Sequence, residues 1–263
     1  MADDKKLNPE IEVWEAAEIE RSTHEASMRE KESLWLGDKE RYLNPPQDTV
    51  FPLEYSYYLL GDIQDKVVLD LGCGSGENTA LLALRGAKVY ALDLSPELIG
   101  LAQKRLDVNQ ISAKNVHFMV GSAYETKLPD ESVDVIFGMA ILHHLDINLV
   151  QKEVYRILRK GGFAIFQEPV RDSKFIGFVR TLIPNKSPDI SPYERPLSSQ
   201  ELQVLAAPFE NFQQRPFRTP FINFIRVVLP RFYMAAHRCD AKILATMPFL
   251  TKYAGTRVLK LTK

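Results

Sequence analysis

The chain has 263 residues, 45% hydrophobic and 25% charged, with a formal net charge of −1. That composition is ordinary for a globular protein with a sizeable core, and the near-zero charge argues against a general affinity for nucleic acid. Two cysteines, Cys73 and Cys239, make neither a disulfide framework nor a metal-binding spacing, so no metal is expected. Residues 1–45 set Trp14, Leu34 and Trp35 among Glu, Arg and Lys, and a helix is predicted from Glu10 to Leu36. Asn44-Pro45-Pro46 separates this helix from the strand-rich region after it. It reads either as a solvated helix packed on a sheet or as a lid that excludes water from a ligand. The acidic, polar start is not a signal peptide and no apolar run is long enough to span a membrane, which makes the cytoplasm the expected location.

Val67-Val68-Leu69-Asp70-Leu71 predicts a strand covered on both faces. Gly72, Gly74 and Gly76 follow at alternating positions, where the backbone can turn tightly and approach a ligand. The next helix, with Leu81, Leu82 and Leu84 on an apolar face, points its amide-rich N-terminus at that ligand. A P-loop would end in Gly-Lys-Ser/Thr, but Gly76 is followed by Glu77 and Asn78. The dinucleotide fingerprint would need a glycine at position 77. Asp70 would repel a phosphate and attract a cation, directly or through water. A nucleoside without phosphates and with a positive amino-acid end fits, and S-adenosylmethionine is such a molecule. Here the chain resembles the class I S-adenosylmethionine-dependent methyltransferases. Their first motif, an acid followed by x-Gly-x-Gly-x-Gly, is matched at Asp70, Gly72, Gly74 and Gly76.

A second strand, Lys88 to Leu92, ends in Asp93, placed to accept hydrogen bonds from ribose hydroxyls, the role the resemblance gives it. Ser95-Pro96 predicts a helix N-cap with proline at the first turn. A third strand, Val116 to Val120, leads to Gly121-Ser122-Ala123; the family commonly has Asp, contacting the adenine amino group, where Ser122 stands. The fourth strand, Val133 to Phe137, runs into Gly138-Met139-Ala140-Ile141-Leu142-His143-His144. A helix from Asn148 to Lys160 is predicted to end at Gly161-Gly162, and a fifth strand, Phe163 to Phe166, leads to Glu168. Strand and helix alternating in this way give a doubly wound parallel α/β sheet with its ligand beyond the carboxyl ends of the strands. Asp70, Asp93, Ser122, Met139 and Glu168 all fall at or just after those ends.

Arg171 to Arg195 reads as a short amphipathic helix and a proline-bounded loop over the active face. Leu197 to Leu202 starts a capped helix, Glu210 to Phe217 is a strand, Phe221 to Ala245 a helix and Arg257 to Leu261 a last strand. The resemblance implies a seven-stranded, mostly parallel Rossmann-like sheet, the final strand inserted antiparallel between its neighbours. The domains are then a helical lid over residues 1–45 and a methyltransferase domain over 46–263, with cap insertions at about 171–197 and 218–250. The aromatic and basic residues of these insertions are core and rim of a cap, the lining for a large apolar or anionic acceptor, or a basic amphipathic helix on a membrane surface.

By the same resemblance S-adenosyl-L-methionine would meet Asp70, Gly72, Cys73, Gly74, Gly76, Asp93, Leu94, Ser122, Ala123 and Met139, with Tyr42 as an aromatic contact near the lid. The acceptor attacks the methyl in line, so the protein must align the two and exclude water. A hydroxyl or protonated amine also needs a base, and His143, His144 and Glu168 are the candidates. Adjacent helical residues point about 100° apart, so at most one histidine of the pair is expected to face the acceptor. Glu168 would serve as base, orient an amine, or pair locally with Arg171 or Arg195. The expected function is methyl transfer to a small or medium-sized molecule, apolar or aromatic ones included, with oxygen favoured over nitrogen and then carbon. The other readings are a protein that binds the cofactor without methyl transfer and a relative that uses it for a different reaction. Gly138-Met139-Ala140-Ile141 stands where an amine-positioning Asn-Pro-Pro-Tyr-like motif would, so a nucleic-acid substrate is not expected.

Overall fold

The computed structural model describes residues 9–30, 33–172, 195–219, 222, 225 and 228–263. The strands are β1 (Val67–Leu71), β2 (Lys88–Asp93), β3 (Val116–Val120), β4 (Val133–Met139), β5 (Leu158–Pro169), β6 (Asn211–Phe217) and β7 (Thr256–Thr262). They form one sheet in the order β3-β2-β1-β4-β5-β7-β6. β1 to β5 pair in parallel, and β7 runs antiparallel between β5 and β6. This is the mostly parallel α/β sheet that the sequence implies, with the last strand inserted as the resemblance requires.

The helices with described bounds are α1 (Pro9–Arg29), α2 (Glu40–Leu43), α3 (Pro52–Leu60), α4 (Glu77–Leu84), α5 (Pro96–Val108), α6 (Ile147–Ile157), α7 (Ser199–Ala206) and α8 (Tyr233–Thr246). Successive strand residues point to opposite faces, so each apolar run feeds two cores. Leu69, Ile136 and Phe166 pack with Val154 and Leu202 on one side, and Val68, Val135 and Phe137 with Tyr57 and Leu81 on the other. Side chains buried this completely contribute about 1.5–3 kcal/mol each, which makes the continuous Val/Leu/Ile runs the main determinant of the sheet. Among the described residues no helix is long and apolar enough to cross a membrane.

Three boundaries differ from the sequence reading. α1 ends at Arg29, not Leu36, because side chains at the C-terminal end of α5 take over the backbone beyond it. The Leu36 N–H donates to Asn109 Oδ1 at 2.8 Å, and the Leu34 carbonyl accepts from Asn109 Nδ2 at 2.9 Å and Arg105 Nη1 at 3.1 Å. α6 ends at Ile157, because Leu158 already pairs with Val133 on β4. Gly161, at φ +75°, lies within an irregularity of β5, between the pairs Val133–Leu158 and Val135–Phe163. The predicted helix over 221–245 is interrupted by a 3₁₀ turn at Pro230–Phe232, and α8 starts after it. Most of the cap predicted over 171–197, and residues 220, 221, 223, 224, 226 and 227 of the second, lie outside the described residues.

β6 ends and β7 begins at the same edge of the sheet, Phe217 opposite Thr256 and Thr256 opposite Pro169. The 218–255 excursion therefore rises from the edge at which β1 to β5 also end. Asp240 of α8 ties it down by accepting from the Arg218 and Thr219 N–H groups, both at 3.1 Å.

Candidate functional site

The turn after β1 is stitched to β2, with the Gly72 and Cys73 N–H groups both donating to the Leu92 carbonyl at 2.9 Å. Gly72, Gly74 and Gly76 have φ of +70°, +52° and +79°, a region that side chains disfavour. Their surroundings separate them. A Cβ on Gly72 would lie 2.7 Å from Ile141 Cδ1 and one on Gly76 2.5 Å from Ala102 Cβ, whereas one on Gly74 would meet nothing within 4 Å. The outer glycines let the turn pack, and the middle one leaves space in front of it.

Asp93, at the end of β2, holds that middle position. Its Oδ2 accepts from the Gly74 N–H at 2.8 Å and its Oδ1 from the Ser95 N–H at 3.0 Å. Burial pushes its pKa up, these backbone bonds oppose the shift, and the charges of Glu18 and Glu25 add to it. Asp70 sits behind the turn, 1% exposed, and accepts from Thr79 Oγ1 at 2.5 Å. Burial is the main force raising its pKa to about 7; the Thr79 hydrogen bond opposes it and the Asp93 charge adds to it. A carboxyl raised in the folded state binds a proton there that the unfolded chain releases, so its contribution to stability falls as pH rises from about 4 to about 7. The Asp70→Asn variant is expected to lose that slope, giving a flatter plot of unfolding free energy against pH over this window. An unchanged slope in denaturant titrations would contradict it.

In front of the turn lies a cavity of about 420 Å³. The Gly72–Ser75 backbone, Asp93, Leu94, Ala123, Met139 and the 140–145 segment line one side, and α1 closes the other with Trp14, Glu15, Glu18, Arg21, Ser22, Glu25 and Arg29. Arg29 Nε pairs with Glu25 at 2.7 Å, and its Nη1 reaches across to Ser75 Oγ at 3.2 Å. Arg21 bonds Glu18 and Glu25. Five lining carboxylates, Glu15, Glu18, Glu25, Glu77 and Asp93, face two guanidinium groups, so the cavity suits a cation and disfavours a phosphate.

The third wall is built after β4. Ala140 takes φ +56°, an uncommon conformation for a residue with a Cβ, and turns the chain into a short 3₁₀ helix, Leu142–His144. Glu168 of β5 fixes that helix from beneath. Its Oε1 accepts from the Ile141 and Leu142 N–H groups at 2.9 and 2.8 Å, and its Oε2 lies 2.8 Å from His143 Nδ1. His144 Nδ1 is 3.5 Å from Glu18 Oε2 of α1, and the two imidazole centroids are 4.1 Å apart. Burial chiefly, with His143 beside it, lowers the His144 pKa to about 4, so His144 is neutral near pH 7.

Of the residues expected from sequence, the cavity brings together Gly72, Cys73, Gly74, Asp93, Leu94, Ala123, Met139, His143 and His144. Both histidines line it, and the segment that carries them is a 3₁₀ turn and not an α-helix. Asp70 and Gly76 shape the turn without lining the cavity, and Asp70 accepts there from Thr79. Ser122 Oγ folds back to accept from the Tyr124 N–H at 3.1 Å. Glu168 is fully buried away from the cavity, bonded to His143 and not to Arg171 or Arg195; Arg195 pairs with Glu201. Tyr42 lies against Tyr57, ring centroids 5.3 Å apart, with no place in the cavity wall. Sequence reasoning missed the charged face of α1, although Glu15, Glu18, Ser22, Glu25 and Arg29 recur at the helical spacing of one face. Tyr124 and Ala140 left no comparable signal.

A family model described as a methyltransferase domain matches residues 69–166. The chain is 31% identical over 100 residues to malonyl-[acyl-carrier protein] O-methyltransferase of Serratia marcescens, covering 38% of this chain and 36% of that protein. It is 33% identical over 114 residues to demethylmenaquinone methyltransferase of Chlorobaculum tepidum, covering 43% and 44%. The chain thus spans about two-fifths of the length of these curated relatives. Among solved structures, geranyl diphosphate C-methyltransferase from Streptomyces coelicolor, in complex with Mg2+, geranyl diphosphate and S-adenosyl-L-homocysteine, superposes with a TM-score of 0.55 at 14% identity, covering 84% of this chain and 86% of that one. That likeness is one of fold.

Proposed function

We propose that this chain, whose residues 69–166 form a class I S-adenosylmethionine-dependent methyltransferase domain, transfers a methyl group to an oxygen of a small or medium-sized molecule. When bound, S-adenosylmethionine supplies a methyl group made electrophilic by its sulfonium. Asp93 would accept from the ribose hydroxyls with the lone pairs that Gly74 and Ser95 leave open. The acidic face of α1 and Glu77 favour a cationic ligand over a neutral one. α1 acts as the lid, holding water away from the reacting atoms.

The observation that carries the choice of oxygen is the buried His143–Glu168 pair. Glu168 accepts from His143 Nδ1–H, which leaves the lone pair of that imidazole on Nε2, the nitrogen across the ring from Glu168. His143 lines the cavity and would take the acceptor's proton there as the methyl arrives. Glu168 is the positioning residue, and it sets the tautomer. An oxygen acceptor also agrees with the O-methyltransferase name of the Serratia relative. The test is incubation of the purified protein with trideuteromethyl-labelled S-adenosylmethionine and a metabolite extract, followed by mass spectrometry. A labelled methyl ether or ester is the expected product. Cofactor bound by calorimetry with no labelled product, or label only on nitrogen or carbon, would overturn the assignment.

A further inference from the structure

The excursion between β6 and β7 carries an exposed surface that the methyl-transfer reading does not use. Val228, Leu229, Met234 and Met247 are exposed, and Phe232 and Phe249 are 59% and 67% exposed. Phe232 lies in the 3₁₀ turn Pro230–Phe232, Met234 in α8 and Phe249 in a 3₁₀ turn Pro248–Tyr253, with Val228 and Leu229 just before the first turn and Met247 between α8 and the second, and the two turns pack on α8. The inner side of α8 is occupied, with Ala236, His237, Asp240 and Leu244 buried. Met234, Arg238 and Lys242 lie one turn apart on the outer side.

Charge separates this surface from the rest of the chain. Arg231, Arg238, Lys242 and Lys252 are all exposed, and among the described residues none has a carboxylate within 4 Å. The one acid between positions 228 and 252, Asp240, is 3% exposed and engaged by the Arg218 and Thr219 N–H groups. A basic, apolar segment thus stands on a chain whose net charge is −1.

We propose that residues 228–252 seat the protein on an anionic lipid surface. Phe232, Met247 and Phe249 enter the boundary of the acyl chains at the two ends of a cationic helix, and Arg231, Arg238, Lys242 and Lys252 meet the headgroups. Protein–protein interfaces are depleted in lysine, whereas interfacial membrane helices are enriched in it, so this mixture favours lipid over an acidic protein partner. The segment rises from the edge of the sheet beyond which the cavity lies, so docking turns that edge toward the bilayer.

The test is flotation of the full chain with vesicles of phosphatidylcholine alone and of phosphatidylcholine mixed with phosphatidylglycerol. Binding to the mixed vesicles, weakening as salt rises, is expected. Phe232→Ser with Phe249→Ser, and separately Arg238→Glu with Lys242→Glu, should each lower the partition coefficient about ten-fold or more. All four side chains are exposed, so the melting temperatures should not move. Lack of binding to anionic vesicles at low salt, equal binding to neutral vesicles, equal binding by wild type and both double variants, or capture of an acidic carrier protein without vesicle binding would each overturn the proposal. These readouts need no cofactor, so they stand or fall apart from the methyl-transfer reading.

Discussion

His143→Asn lowers turnover by about 10²–10⁴-fold and leaves the affinity for S-adenosylmethionine unchanged. The asparagine amide can still donate to Glu168 Oε2, which accepts from Nδ1 at 2.8 Å in the native chain, so no buried carboxylate is left bare. What disappears is Nε2. Glu168→Gln makes the complementary change. The carboxamide oxygen must stay toward the Ile141 and Leu142 N–H groups, since turning its NH₂ toward them would oppose donor to donor. The NH₂ then faces His143 Nδ1, which has to become the acceptor, and the ring proton moves to Nε2. Turnover should fall about as far as in the histidine variant, because the base has become the wrong tautomer while its ring stays in place. Glu168→Ala is a different experiment: it strands two backbone donors in a buried site, at about 1–3 kcal/mol each, and should appear first as lost stability in denaturant titrations. Steady-state kinetics with calorimetry separates the cases. Turnover by His143→Asn within about three-fold of wild type would remove His143 as the base.

These contacts also show where a sequence reading reaches and where it stops. β1, β2, β3 and β4 were legible because each is a short apolar run ending in an acid, a glycine or both. The glycine turn and Asp93 were legible because the backbone turns at three positive-φ positions, two of them with no room for a side chain, beside an acid that ends β2. The bond between Glu168 and His143, 25 positions apart, is a tertiary pairing with no local pattern, so Glu168 read as a group facing the cavity and not as the buried support of the histidine. The 3₁₀ turn at Leu142–His144 depends on Ala140 at positive φ, a conformation that alanine does not advertise. The end of α1 was misplaced for a related reason: Arg105 of α5 and Asn109 at its C-cap capture the Leu34 and Leu36 backbone, and nothing near Leu34 signals that capture.

Asp93→Ala raises the dissociation constant for S-adenosylmethionine by at least about 100-fold. Two hydrogen bonds from ribose hydroxyls to an ionised carboxylate are worth about 1.5–3 kcal/mol each, enough for a loss of that size. The variant also frees the Gly74 and Ser95 N–H groups, which loosens the turn proposed to hold the cofactor. Gly74→Arg separates these two effects. No heavy atom lies within 4 Å of a Cβ at this position, so the fold should survive at about 1–2 kcal/mol for the left-handed φ of +52°. The new side chain would stand in the cavity among its carboxylates, and cofactor binding should be lost with only a modest fall in melting temperature. Retention of native affinity by both variants would place the cofactor elsewhere. Burial raises the Asp93 pKa, so it protonates at a higher pH than an ordinary aspartate and exchanges an acceptor for a donor. Cofactor affinity should therefore weaken as pH falls, starting above the usual aspartate range. Calorimetric titrations on Asp93→Ala should lose most of that slope.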